Sequence, residues 1–519
     1  MKNFVDAAYE QLIISGGDSR LLLGEDGLNP YGCGSHPNEQ LAFGSCTCST
    51  PSARGVAAAK AIVDRLRRSR STAEMANSIR TEQRMRLKTL LRLPKEVDVA
   101  ITPSGTDVEL LALALAAGGH QRRIVNIVVG PTEVGSGTTL AASGMHYDHL
   151  VPSGRQVESG TPVCSQLADR VTLKTIDIRD DRGEIINEVY LDTLVTEVVT
   201  EAVASDAHVL LHLVAHSKTG MHAPSLECID RISRNLPNDV TIVIDAAQGR
   251  VSRRGLREVL NKGHLVMFTG SKFYGGPPFS GALFVPPRWQ PRHRGITTLP
   301  SGFDDYFTAA EMPESWTEVR RHITGSQNYG SLLRWEAALA EMDAYYRVSS
   351  ETRLVILRAF EESVPEIFNN AEGIQLLTVF PPIHDDTQTR LLESKTTVFG
   401  FRAHANGQAL DRKELKEIHR DLNTAFNAVS TQSTMSRRFH IGQPVPLNDD
   451  MAALRIAIGG EMIVRIAMDL RLGVSLEERI EWMRAELLHL RKKTEALIAM
   501  RATTHASPEP IPDATLVVN

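Results

Sequence analysis

The sequence predicts an α/β fold, with a large domain built on a mostly parallel sheet and a smaller α+β domain towards the C-terminus. Three observations carry this. From Val97 onward short apolar runs alternate with helical segments, the pattern of strands joined by right-handed crossovers. Two of those runs end in polar residues, Asp245 and the stretch Thr269-Gly-Ser-Lys272, as strands do where an open sheet meets a ligand. Beyond about residue 346 the texture changes to strands and helices with meandering connections.

Residues 1 to about 55 begin with a short amphipathic helix and continue as a Gly-, Asn- and Pro-rich segment, Gly24 to Pro51, with little periodicity. Long segments of this kind in compact proteins are functional or disordered, and Tyr31, Phe43 and Cys46 argue for a pocket wall, with Tyr31 a candidate to touch substrate. Ser52 to Leu93 reads as helix. Val97 to Gly118 reads as strand, tight turn and helix, with Ser104-Gly105-Thr106 at the turn. Apolar strands follow at Ile124–Gly130 and Val209–Gly220, with a variable region to about residue 180 between them, then a helix at Ser225–Asn235 and the strands of Val240–Pro287. Residues 288 to 330 are rich in Pro, Gly, Arg and aromatics, and a helix from about Leu332 to Val348, continuing past Glu351, comes next. The smaller domain holds a strand at Thr396–His404, a helix at Arg412–Asn423, a strand at Leu454–Gly460 and a final helix from Ser475 to about Arg501, opened by the capping box Ser475-Leu-Glu-Glu478. The expected organisation is therefore an N-terminal segment (1–95) contributing to the pocket, the large domain (96–290), an insertion and inter-domain helix (291–345), the small domain (346–502) and a loose proline-rich tail (503–519).

The 519 residues carry a formal net charge of −5 and a pI near 6.4, which gives no footprint for nucleic acid. The N-terminus mixes acidic with apolar residues, unlike a signal peptide, and no run approaches the roughly 18 apolar residues of a membrane helix, so a cytoplasmic location is expected. Five scattered cysteines make a disulfide framework unlikely, and Cys46-Thr-Cys48 without a second pair makes a poor zinc site. His212 with His216 and His146 with His149 lack supporting ligands at metal-site spacing, so no metal is expected. Gly130-Pro-Thr-Glu-Val-Gly135-Ser-Gly-Thr has no lysine where a phosphate-binding P-loop needs one.

Chemistry concentrates in Val240–Pro287. Asp245 ends a buried strand, where an ionised carboxylate is costly unless it faces a cation, and Lys272 at the neighbouring strand end is equally costly as a bare ammonium. Each alone reads as a structural charge. Ser104-Gly105-Thr106 reads either as a plain N-cap or as an anion-binding helix N-terminus. An amine to hold an aldehyde, a carboxylate for a pyridine nitrogen, a nest for phosphate and a cation for a carboxylate are what a pyridoxal-phosphate (PLP) enzyme asks of its protein. The set points to Lys272 as the Schiff-base lysine and Asp245 as the partner of the ring nitrogen.

The motifs Asp245-Ala-Ala-Gln248, Thr269-Gly-Ser-Lys272-Phe-Tyr-Gly-Gly-Pro and Gly281-Ala-Leu-Phe-Val285 resemble those of the aminotransferase class V branch of fold type I PLP enzymes, which includes the cysteine desulfurases. The resemblance spans about residues 97 to 490 and implies a homodimer with shared active sites. It implies that Gln248 touches the phenolic oxygen of the ring, that Thr269 and the Ser104-Gly105-Thr106 turn bind phosphate, and that Ser271 stands where the family often has His. It further implies that Ser326, in Gly325-Ser326-Gln-Asn328, reaches the phosphate of the neighbouring subunit, and that Arg455, in Leu454-Arg455-Ile-Ala, clamps the substrate carboxylate.

The departures are equally specific. Pro131-Thr-Glu-Val134 replaces the context of the ring-stacking His, and His216-Ser-Lys218-Thr-Gly220 replaces an Asn-rich turn, leaving Lys218 as either a second pocket cation or a solvated loop residue. No cysteine follows Cys228, so the nucleophilic thiol of a desulfurase is missing. The expected function is a PLP-dependent transformation of an amino acid at its α-carbon. Transamination is the generic outcome. The alternative is a specialised lyase or C–C bond-forming synthase working by β/γ-elimination or replacement, for example on S-adenosylmethionine. A non-catalytic PLP-fold binding module would have lost Lys272 or Asp245, and both are present.

Overall fold

The structure, a computed structural model, describes residues 4–44, 49–378, 396–426 and 434–505. The chain opens with helix α1 (Phe4–Ile13) and reaches a three-residue strand, β1 (Leu41–Phe43). Two helices follow, α2 (Ala53–Arg68) and α3 (Thr72–Leu91), where the sequence pattern reads as one. The break falls at Ser69–Ser71: the Ser69 hydroxyl donates back to the Leu66 carbonyl, and Ser71, in extended backbone, accepts the Glu74 N–H and starts a new helix.

The large sheet is then laid down as β2 (Asp98–Thr102), helix α4 (Gly105–Ala117), β3 (Ile124–Val129), β4 (Val171–Ile176), α5 (Glu188–Ala204), β5 (His208–Ala215), α6 (Leu226–Asn235), β6 (Val240–Ala246), α7 (Arg253–Asn261), β7 (Leu265–Thr269) and β8 (Gly281–Val285). Among the described residues this sheet has eight strands. Its path is β2-β8-β7-β6-β5-β3-β4, and the two-residue strand His222–Ala223 lies alongside β5. The inner strands pair in parallel, and only β8, wedged between β2 and β7, runs against both its neighbours. Every residue of β3, β5, β6, β7 and β8 is buried, which is why these strands read as apolar runs rather than alternations. Strand β4 and helix α5 fall in and just past the stretch that reads as variable. As an edge strand, β4 is mostly half-exposed and carries Thr and Lys, so its pattern is faint.

Helix α8 (Tyr329–Arg347) ends at Val348, and Ser349 caps a separate helix, α9 (Ser350–Phe368), by accepting the Thr352 N–H at 3.1 Å. The expected continuation past Glu351 is thus two helices, because an extended Val348 and a serine cap interrupt the backbone ladder. The second sheet is formed by β9 (Ile374–Leu376), β10 (Val398–Ala405), β11 (Phe439–Pro446) and β12 (Ala452–Ala457), with helices α10 (Arg412–Leu422), α11 (Gly460–Arg471) and α12 (Leu476–His505). Its order is β1-β11-β12-β10-β9, and β1 pairs in parallel with β11, Leu41 opposite Phe439. Neither β1 nor β11 is evident in the sequence, since one has three residues and the other carries Pro444 and Pro446. The capping box is made in both directions, Glu478 N–H to Ser475 Oγ at 3.1 Å and Ser475 N–H to Glu478 Oε2 at 2.9 Å. Cys46, Cys48 and the tail from residue 506 lie outside the described residues.

The Pro- and Arg-rich segment after β8 folds as short helical turns. Its Phe303, Phe307 and Trp316 are buried in one apolar cluster with helix α4. On α8, Trp335 is fully buried and its indole N–H donates to the Gly281 carbonyl at 3.1 Å, which props the start of β8. Trp335→Ala is expected to lower stability by about 3–5 kcal/mol, measured by urea denaturation, since it removes a large buried side chain and leaves that carbonyl unpaired. Among the described residues no helix is long and apolar enough to cross a membrane.

Candidate active site

The carboxyl ends of β6 and β7, the turn into α4 and residues of β11 and β12 in the second sheet line a cavity of about 810 Å³. Asp245 reaches it from the last turn of β6. Its Oδ1 accepts the Ala247 N–H at 3.0 Å, and burial pushes its carboxyl up against the opposing pull of Lys272, the Ala247 N–H and Lys218. At the start of α4 the Ser104 hydroxyl accepts the Thr106 and Asp107 N–H groups, both at 3.2 Å. The N-cap is therefore made, and the Thr106 hydroxyl still faces the cavity. The turn is pinned from behind by Gly281, where a Cβ would lie 2.2 Å from the Ser104 carbonyl oxygen. Gly281→Ala is expected to cost about 1–3 kcal/mol by overpacking and to displace the turn, read out as a lower melting temperature together with weaker anion binding.

The structure brings nearly all the sequence-derived candidates to this one cavity: Tyr31, Ser104, Gly105, Thr106, Lys218, Asp245, Gln248, Thr269, Ser271, Lys272 and Arg455 all line it. Thr269 also donates its hydroxyl to the Ala247 carbonyl at 2.6 Å, tying β7 to the end of β6. Arg455, on β12, points two guanidinium nitrogens at the Gln443 carbonyl, at 3.0 and 2.9 Å. Lys218 lines the cavity rather than lying in solvent, and it donates to the Thr132 carbonyl at 3.1 Å. Burial, with Arg455 and Lys272 nearby, pushes its ammonium down to about 7. Ser326 is the exception and does not line the cavity of its own chain.

Several residues that shape the cavity carry no signal in the sequence. Arg20, from the N-terminal segment, lies over the Phe279 ring, is ion-paired to Asp18 at 2.6 Å, and comes within 3.4 Å of the Thr106 hydroxyl. Glu109, buried on α4, stands 3.5 Å from His212 Nδ1; burial and the neighbouring Asp245 push its carboxyl well up, while burial pushes the His212 ring down to about 3. His212 thus has a carboxyl neighbour, but one from a distant helix that no local spacing shows. The two departures from the family pattern turn out to be one feature. Glu133 accepts from Arg179 at 2.7 Å, from the Thr219 N–H at 3.0 Å and from the Ser217 and Thr219 hydroxyls, so its carboxylate holds the loop that carries Lys218. Burial raises the Glu133 carboxyl, but Arg179 and the two hydroxyls outweigh this and hold it below the usual range. Val134 lines the cavity beside it.

No protein-family model and no curated protein matches the sequence. Solved structures do match. The chain is similar to the cysteine desulfurase CsdA (S-sulfonic acid) of Escherichia coli, at 13% identity and a TM-score of 0.50 over 88% of this chain and 94% of that one. It is similar also to a NifS-like protein (11% identity, TM-score 0.50, 87% of this chain and 99% of that one). A third match is a lysine-to-alanine mutant of C-DES with glycine covalently linked to its PLP cofactor (13% identity, TM-score 0.50, 86% and 96%). The fold is that of the fold type I PLP enzymes.

Proposed function

We propose that the chain is a PLP-dependent enzyme that transforms an amino acid at its α-carbon, and that its generic reaction is transamination. The observation that carries this is the convergence of Lys272, Asp245, the α4 turn and Arg455, from four separate elements, on one cavity. The residues fit the cofactor: the buried Gln248 side-chain oxygen has no hydrogen-bond partner among the described residues, and a carboxylate buried as Asp245 is calls for a cation in front of it. When bound, PLP supplies an electron sink for the pair left at the α-carbon. Lys272 would hold the cofactor, and its amine would be the base for the α-proton. Asp245 would keep the ring nitrogen protonated, Thr106 and Thr269 would hold the phosphate, and Arg455 would orient the α-carboxylate. Ser326, standing outside its own cavity, serves the phosphate of a second subunit, which makes the enzyme a homodimer.

Elimination or replacement at the β- or γ-carbon is favoured by one observation. Val134 occupies the context of the stacking His, and the Glu133 knot places Lys218 in the cavity as an additional amine. Purified protein is expected to be yellow, with absorbance that borohydride removes; a colourless protein that takes up no PLP refutes the proposal. Conversion of the cofactor to its amine form on adding an amino acid supports transamination, whereas product released with the aldehyde form retained supports the second reading. Because Lys218 loses its charge as pH rises through about 7, an anionic ligand is expected to bind several-fold more tightly at about pH 6 than at about pH 8, and Lys218→Met to flatten that dependence.

A further inference from the structure

The cavity has a wall that the α-carbon chemistry does not use. Helix α10 turns Leu415, Ile418 and Leu422 into the core and presents Arg412, Lys416 and Arg420, spaced four residues apart, along the cavity mouth. Over eight residues this row extends about 12 Å, longer than an α-carboxylate needs. Arg420 has a local partner in Asp421 at 3.3 Å, while the exposed side chains of Arg412 and Lys416 make no ion pair or hydrogen bond among the described residues. Arg412 is moreover the first residue of α10, where the helix dipole is positive and a cation is disfavoured, so local stability does not account for it.

The carboxyls of the cavity do not balance the row. Glu133 is committed to Arg179, Asp245 faces Lys272, and Glu109 is buried against Asp245; of the carboxyls lining the cavity, this leaves Asp26. The surplus is local, because the chain as a whole carries a net charge of −5. Arg455 answers one substrate carboxylate, and the row answers something more. We infer that the substrate is an amino acid whose side chain ends in an anionic group, received by Arg412, Lys416 and Arg420. This rests on the reading of the cavity as the PLP site. It also disfavours S-adenosylmethionine, whose sulfonium would bring a positive charge to a cationic wall.

The test is a titration of the yellow holoenzyme, followed by cofactor absorbance, with two pairs of amino acids: L-glutamate against L-glutamine, and O-phospho-L-serine against L-serine. The anionic member of at least one pair is expected to bind ~10-fold or more tightly than its neutral counterpart, and the pair showing the larger ratio separates carboxylate from phosphate. The ratio is expected to shrink as NaCl rises from about 0.05 to about 0.5 M, a measurement that needs no variant. In the double variant Arg412→Gln/Lys416→Gln it is expected to approach one. Equal affinities within both pairs, or a preference unchanged by salt and by the double variant, overturn the inference while leaving the cofactor reading standing. A protein that binds no PLP overturns both.

Discussion

Replacing Lys272 with alanine is expected to remove the borohydride-sensitive absorbance and to lower turnover by about 10³-fold or more. Lys272 is asked to do two things, to hold the cofactor through its amine and to act as general base at the α-carbon, and a positioned base alone is worth about 10²–10⁴-fold. Its position follows from the fold: β7 ends at Thr269, and the chain turns at Gly270–Lys272 directly before the cavity. The variant is expected to keep its melting temperature within a few degrees, because the substitution removes a half-buried cation from beside Lys218 and opens no apolar void. Retained turnover in Lys272→Ala would refute the assignment. Partial rescue by an added small amine would support it.

The second large effect is expected from Asp245→Asn. The amide keeps the shape of the carboxylate and can still accept the Ala247 N–H, so folding is expected to survive. The charge that opposes a protonated ring nitrogen disappears, and turnover is expected to fall on the order of a hundred-fold, the scale of losing one preorganised electrostatic group in a buried site. On the proposed reading, in which the α4 turn and Thr269 would hold the phosphate, cofactor affinity is expected to fall much less. The split between turnover and affinity separates Asp245 from a purely structural carboxylate, whose loss would lower both along with stability.

The parts of this site legible in the sequence are those whose chemistry is written in consecutive residues. Asp245 and Thr269–Lys272 stand at the ends of fully buried apolar strands, and Ser104–Thr106 stands between a strand and a helix; each is a local pattern with a local reason. The wall residues were hidden because tertiary contact alone gives them meaning. Arg20 meets Thr106 across 86 positions, and Glu133 holds Thr219 across the same distance. The row on α10 looks in sequence like any solvated helix face, and only its place at the cavity mouth makes it notable. Strands β1 and β11 were hidden for a different reason, since three residues leave no periodicity to read in β1 and two prolines break the pattern of β11.

That short pair has a mechanical meaning. The N-terminal segment is fastened at one end to the loop at Asp148 and to helix α4, where Ser19 bonds Asp148 and Arg20 reaches Thr106, and at the other end to the second sheet through Leu41–Phe43. The residues between these anchors, which include Asp26 to Gly32 of the cavity wall, form a tether of fixed contour length. Within it the Tyr31 carbonyl meets His440 at 3.1 Å and the Pro30 carbonyl accepts from Gln443 at 3.3 Å, so the stretch between Arg20 and Pro30 is what bridges the α4 turn and the second sheet across the cavity.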